Sequence, residues 1–221
     1  LQSDIPLTSM PPSESPFIKT RGMTFARVAG VETRMAQVID ATWRAMPRVQ
    51  FLGTGNAFSP HGRMHALVLI DGNILVDAPP TLLPQLRRAG VSSGEIDHLL
   101  FTHWHADHMF GFPFFILERT VVSNAEKSLN VYLRPKGKEI LSNLSHVGFP
   151  GSLNEVLNDD INWLEEESGE LQNSEWIYER FQVTHTPETD PHGYLLTHTS
   201  GFKLLHCGDS GPCQEIEDRS K

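Results

Sequence analysis

The segment that most limits how this chain can fold is His98-Leu99-Leu100-Phe101-Thr102-His103, which runs directly into Trp104-His105-Ala106-Asp107-His108. An apolar run of this kind is a buried strand. It ends in three histidines and one aspartate within six positions, 103 to 108. On an extended chain residues two apart point the same way, so His103 and His105 face one side together. The chain must then turn, which lets Asp107 and His108 face a neighbouring point. One short segment can thus serve two adjacent divalent metal ions. Imidazole and carboxylate suit zinc, and also iron or manganese. A chance cluster of surface histidines is the bland alternative. The apolar strand that delivers the cluster argues against it.

A metal site needs ligands from distant segments as well. His185, in "FQVTHTPE", sits at a strand end, and Asp209, in "HCGDSGPC", sits in a Gly-flanked turn after an apolar strand. Taken alone, each is an ordinary polar residue for its place. Beside the cluster at 103–108, His185 is expected to complete a first metal site and Asp209 to bridge two ions. His192, in "DPHGYLL", is the one nameable proton donor for a leaving group, against the plainer reading of a loop histidine.

The rest of the chain reads as one αβ domain with an N-terminal extension. Residues 1–22 are polar and Pro/Ser-rich and read as a flexible arm. Over 23–46, Val28, Val31, Met35, Val38, Ile39, Trp43 and Met46 recur at helical spacing, which predicts a helix packed on the domain. Residues 47–221 form the domain itself. There "VQFLG" is a strand, "ALVLIDGNILVD" a hairpin turning at Asp71-Gly72-Asn73, and "PTLLPQLRRAG" a short helix closed by Gly90. "LNVYLRP" is a strand and "KGKEILSNLSHVG" a helix, and "LNEVLNDDINWLEEESGE" is expected to be an exposed acidic stretch. "EWIYERFQVTHT" returns to strand, and "GYLLTHTSGFKLLHCGDSGP" is a second hairpin. The two hairpins resemble one another and hint at a duplicated strand–strand–helix unit, sheets inside and helices outside.

Net charge is −9, which disfavours a general nucleic-acid binder but allows a local basic groove. Two cysteines give no disulfide framework, so a reducing, cytoplasmic setting is the default. No apolar run approaches the length of a membrane span. Cys207 and Cys213 read as buried thiols, Arg134, Lys136 and Lys138 as a small basic patch or solvated turn, and "GTGNA" as a tight turn near the cleft. Phe110, Phe112, Phe114 and Phe115 read equally as pocket mouth or core. The chain starts at Leu1 and ends 12 residues after Asp209, so it reads as a fragment.

The ordered set Asp77, "THWHADH", His185 and Asp209 resembles the metallo-β-lactamase-fold hydrolases, from about Arg48 onward. "FLGTGNAF", "GFPFF" and "HCGDSGPC" are similar to the ribonuclease Z-like branch. The resemblance implies an αββα sandwich with a two-metal site at one sheet edge. It implies that His103, His105 and His185 hold one ion, Asp107 and His108 the second, and that Asp209 bridges them. Asp107 would also orient the nucleophile, and Asp77 would orient a ligand histidine. It further implies a metal-bound hydroxide acting on a phosphodiester, either an RNA 3′ end or a small cyclic or nucleotide phosphodiester. Relatives in that branch are often dimers, so a homodimer is open to this chain. The chain departs from the family pattern in two places. No histidine follows Asp209, which leaves the second site one ligand short and the second unit incomplete. "DAPPTLLPQL" stands where ribonuclease Z carries Gly-Glu-Gly-Thr-Gln, and it is more similar to cyclic-phosphate phosphodiesterases. Hydrolysis of an ester, lactone or thioester, or metal binding without catalysis, are the competing readings.

Overall fold

The computed structural model describes residues 46–221. The expected arm over 1–22 and the expected helix over 23–46 lie outside the described residues, except for Met46. Two sheets form the centre of the domain. The first orders β1 (Val49–Gly53), β2 (Leu67–Ile70), β3 (Ile74–Val76), β4 (His98–Leu100), β5 (Leu129–Tyr132) and β6 (Ile161–Leu164). Its first three strands are antiparallel, and β3 through β6 run parallel. The second orders β10 (Lys203–His206), β9 (His192–His198), β8 (Trp176–Gln182) and β7 (Ser168–Glu170), all antiparallel.

Every residue of β2 through β5 is buried. A strand buried on both faces needs a partner layer on each side, and period-two alternation sorts its side chains between them. Leu67, Leu69, Leu75, Leu99 and Val131 pack outward, against helices α1 (Leu82–Ala89), α3 (Phe112–Val121) and α4 (Gly137–Gly148). Val68, Ile70, Ile74, Val76, Leu100 and Tyr132 pack inward, against Trp176, Tyr178, Tyr194 and Leu196 of the second sheet. Helix α2 (Ala106–Met109) follows β4, and α5 (Asn154–Asp159) precedes β6. On the far side α6 (Gln214–Arg219) lies against the second sheet, where the Arg219 guanidinium sits 4.6 Å over the Phe181 ring and bonds Glu179. The layers are those of an αββα sandwich. Among the described residues no helix is long and apolar enough to cross a membrane.

Local signals placed most elements correctly. The hairpin turns at Asp71 and Gly72, both at positive φ, and Gly90 closes α1 in the left-handed region. Asp71 also ties the sheets together, since its carboxylate accepts from Trp176 Nε1 at 2.7 Å. The stretch expected to be merely exposed and acidic, from 153 to 170, is a correction. It holds α5, β6 and β7, and only Glu165 to Glu170 are exposed throughout. Both strands are short and lie at sheet edges, and β7 is exposed throughout, so neither shows the alternation that marks a strand. The phenylalanines divide: Phe112 and Phe115 are core, whereas Phe110 and Phe114 are exposed.

Register decides where loops meet. Gly53 pairs with Leu67, Val68 with Val76, Val76 with Leu100, and Leu100 with Tyr132. In the other sheet Gln182 pairs with His192 and Tyr194 with His206. The segments that begin at Gly53, Asp77, Thr102, Leu133, Val183 and Cys207 therefore leave their strands at matching ends.

His98 is one of the buried groups that make stability pH-dependent. His98 is 1% exposed, and burial pulls its pKa down to about 4, with Asp97 opposing weakly. The unfolded chain binds this proton below about 6.5 and the folded chain refuses it. Its contribution is thus full above pH 6.5 and is lost as pH falls toward 4, by about 3 kcal/mol. Urea unfolding of the metal-free protein between pH 7 and 4 should show an acid limb, and His98→Phe should reduce its slope. An unchanged slope in the variant would remove His98 from the account.

Candidate metal centre

The centre is built on the strand end that follows β4. Thr102 to His105 stay extended, with His105 at φ −78 and ψ 150, and α2 begins at Ala106. This geometry sends His103 and His105 one way and the Trp104 indole the other. Trp104 packs 5.5 Å from Phe101 and lies on Gly137, where an added Cβ would come within 2.6 Å of the indole. The turn of α2 then brings His108 back beneath His103, with ring centroids 4.1 Å apart.

Asp77 anchors this arrangement. It follows β3 at φ 70, and its N–H donates to the Leu100 carbonyl. The buried carboxylate accepts from Thr102 N–H at 2.8 Å, from the Thr102 hydroxyl at 2.8 Å and from His108 Nδ1 at 2.7 Å. Backbone bonds reinforce the join, Ala78 N–H to His108 O and Gly111 N–H to Ala78 O. A Cβ at Gly111 would overlap the Pro79 carbonyl, which is why a glycine stands there.

These bonds determine the tautomers. The Thr102 hydroxyl spends its hydrogen on Asp77, so it can only accept from His103 Nδ1, 3.0 Å away. His108 gives its Nδ1 hydrogen to Asp77. Both rings therefore turn Nε2 toward the cleft. Sequence reasoning missed Thr102. A hydroxyl immediately before the first histidine was the available signal.

Two groups of ligand atoms converge and share His103. One is His103, His105 and His185; the other is His103, His108 and Asp209; in each the atoms lie within 4.8 Å of one another. His105 Nδ1 lies 3.0 Å from His103 Nε2 and 3.1 Å from His185 Nε2. Tetrahedral zinc with Zn–N of about 2.0–2.1 Å places its nitrogens roughly 3.3–3.4 Å apart. The donor set and its spacing therefore fit a divalent ion with little adjustment. Asp107 Oδ2 and Asp209 Oδ1 each lie 3.5 Å from His108 Nε2, and Asp107 belongs to neither three-residue group.

The electrostatics point the same way. His108 is buried, which lowers its pKa, yet the Asp77 and Asp209 carboxylates outweigh burial and push it up to about 10. Contact with His108 holds Asp209 down to about 2, and Asp77 stays below the usual carboxylate range despite burial, because of His108. His103 falls to about 4 through burial and the neighbouring His108 charge. The pocket demands a cation at His108 Nε2, either a proton or a metal.

Other residues singled out in the sequence lie apart from this cluster. His192 is buried, its Nδ1 donates to the Asp190 carbonyl at 3.1 Å, and burial lowers its pKa to about 4. Cys207 and Cys213 are free and half-exposed rather than buried. Arg134 is paired with Asp190 at 2.9 Å and Glu167 at 3.2 Å, which leaves only Lys136 and Lys138 of that patch exposed.

A family model described as "Anti-Pycsar protein Apyc1" matches residues 47–216. A ribonuclease Z of Methanococcus maripaludis is 30% identical over 105 residues, 46% of this chain and 34% of the relative. One of Haloferax volcanii is 34% identical over 104 residues, 46% of this chain and 32% of the relative. The matched region thus spans about a third of these relatives' length. Among solved structures, the metallo-β-lactamase fold protein YhfI of Bacillus subtilis superposes with a TM-score of 0.63 at 15% identity, covering 79% of this chain and 68% of that one. The short form of human tRNase Z gives 0.59 at 21%, covering 79% and 73%. Zn(2+)-bound PqqB of Methylobacterium extorquens gives 0.58 at 14%, covering 79% and 69%. The chain has the metallo-β-lactamase fold, and just under half of it is similar in sequence to ribonuclease Z.

Two predictions follow from the wiring around Asp77. Thr102→Val should keep the fold by circular dichroism and weaken zinc binding 10- to 100-fold in a chelator competition; unchanged affinity would make the hydroxyl a bystander. Because a metal must displace the His108 proton, metal content after dialysis should fall as pH is lowered from 8 to 5. Constant content across that range would place the ion away from His108.

Proposed function

The chain belongs to the family described as Anti-Pycsar protein Apyc1, and from that premise we propose that it is a metal-dependent phosphodiesterase. The observation that carries the reading is the pair of ligand groups converging on one shared histidine, His103. Two divalent ions held there, zinc first and manganese or iron as alternatives, would polarise a phosphoryl group and acidify a water. His103, His105 and His185 would hold one ion, and His108 and Asp209, with Asp107 close by, the other. Asp77 and Thr102 would keep the His103 and His108 Nε2 atoms aimed at the ions. Asp107, whose carboxylate lies 3.5 Å from His108 Nε2, would orient the attacking oxygen and take its proton.

The surroundings favour a small cyclic or nucleotide phosphodiester over an RNA 3′ end. RNA binding draws on a field of unpaired cations. Here Arg134 is neutralised by Asp190 and Glu167, and Glu165, Glu166 and Glu167 follow β6 at the metal end of the sheet. Two unbridged cysteines suit a reducing, cytoplasmic setting.

The zinc- or manganese-loaded protein should hydrolyse a nucleoside cyclic monophosphate faster than a 3′-extended RNA. His103→Ala removes the ligand common to both groups and should lower kcat/KM at least a thousandfold. Turnover that survives this substitution would end the proposal.

A further inference from the structure

His65 stands two residues before β2, at the metal end of the first sheet, since Leu67 pairs with Gly53 and Val68 with Val76. Its surroundings form a closed ring of hydrogen bonds. The Gln85 amide donates from Nε2 to the His65 carbonyl at 2.7 Å, and Gln85 is 1% exposed. This orients the amide, so its Oε1 accepts the Thr81 hydroxyl hydrogen at 2.9 Å. The Thr81 oxygen then has only lone pairs left. It receives the His65 backbone N–H at 3.2 Å and faces His65 Nδ1 at 3.1 Å. Nδ1 must therefore carry a hydrogen, and in the neutral imidazole Nε2 carries the lone pair. Gly53 makes room for the ring, because a Cβ there would overlap the His65 carbonyl and the Gln85 amide. Three residues thus hold one half-buried imidazole in a single tautomer. Its Nε2 has no hydrogen-bond partner among the described residues.

We propose that His65 Nε2 accepts a hydrogen bond from the 2′-hydroxyl of a ribonucleotide substrate and so selects ribose over deoxyribose. The inference rests on the phosphodiesterase reading above. A lone pair repels phosphate oxygens, which carry no hydrogen at neutral pH, so Nε2 is not a phosphate anchor. The donor nearest the phosphate in a ribonucleoside 3′,5′-cyclic phosphate is the 2′-hydroxyl, on the carbon beside the 3′-oxygen. A site built to pair with a hydroxyl discriminates against the analogue that lacks it.

The test compares a ribonucleoside 3′,5′-cyclic monophosphate with its 2′-deoxy analogue, using the metal-loaded full chain. The parent should prefer the ribonucleotide by roughly tenfold in kcat/KM. His65→Ala should remove that preference by slowing the ribonucleotide alone, with metal content unchanged. Thr81→Val, which releases Nδ1 and leaves the imidazole in place, should erode the same preference. Equal loss on both nucleotides, or no loss on either, overturns the assignment. Should the parent turn over neither nucleotide, the phosphodiesterase reading fails by itself. Calorimetric binding of the same pair then decides on His65: a ribose preference that His65→Ala abolishes sustains it, and equal binding by the parent overturns it.

Discussion

The buried carboxylate of Asp77 is the constraint on which the site depends. It accepts three hydrogen bonds, two from Thr102 and one from His108. A carboxylate held at 2% exposure is costly unless its lone pairs find donors, and these donors come from two residues, at the start and the end of the histidine-rich turn. Through them Asp77 sets the tautomer of His103, by way of Thr102, and that of His108 directly. It also joins the end of β3 to the end of β4 and to α2. The left-handed backbone at Asp77 is the local strain this junction carries, and the bonds around it hold that strain in place.

The sandwich explains why such a junction can exist. β2 through β5 are enclosed by helices on one face and by the second sheet on the other, so their ends are rigid. Loops leaving a rigid end can hold ligands to a few tenths of an ångström, and the 3.0 and 3.1 Å spacings of the three first-group histidines reflect it. The same end carries His65 with its closed ring of Thr81 and Gln85, and the acidic segment after β6. One rim therefore combines a cluster of imidazoles and carboxylates, a tautomer-fixed imidazole and an acidic segment.

Much of the fold was legible locally. The turn at Asp71-Gly72, the helix closed by Gly90 and the fully apolar strands each rest on backbone conformation or burial that neighbouring residues declare. β6 and β7 were not legible, because "INWL" and "SGE" lie at sheet edges and lack alternation. The four groups in 103–108 were legible because strand periodicity aims His103 and His105 together. His185 and Asp209 became ligand candidates only by reference to that cluster. Thr102 offered only the signal of a hydroxyl beside the first histidine, and the His65–Thr81–Gln85 ring was invisible, because a histidine, a threonine and a glutamine are unremarkable until they touch.

The sequence by itself therefore determined that a strand would end in a metal-ligating turn, since that follows from residue type and a two-residue period. Only the tertiary structure decided which imidazole nitrogen faces the cleft, that the Arg134 charge is spent on Asp190 and Glu167, and that His192 turns into the protein. Those outcomes depend on hydrogen-bond partners far away along the chain, and the direction of a hydrogen bond has no period that a sequence can display.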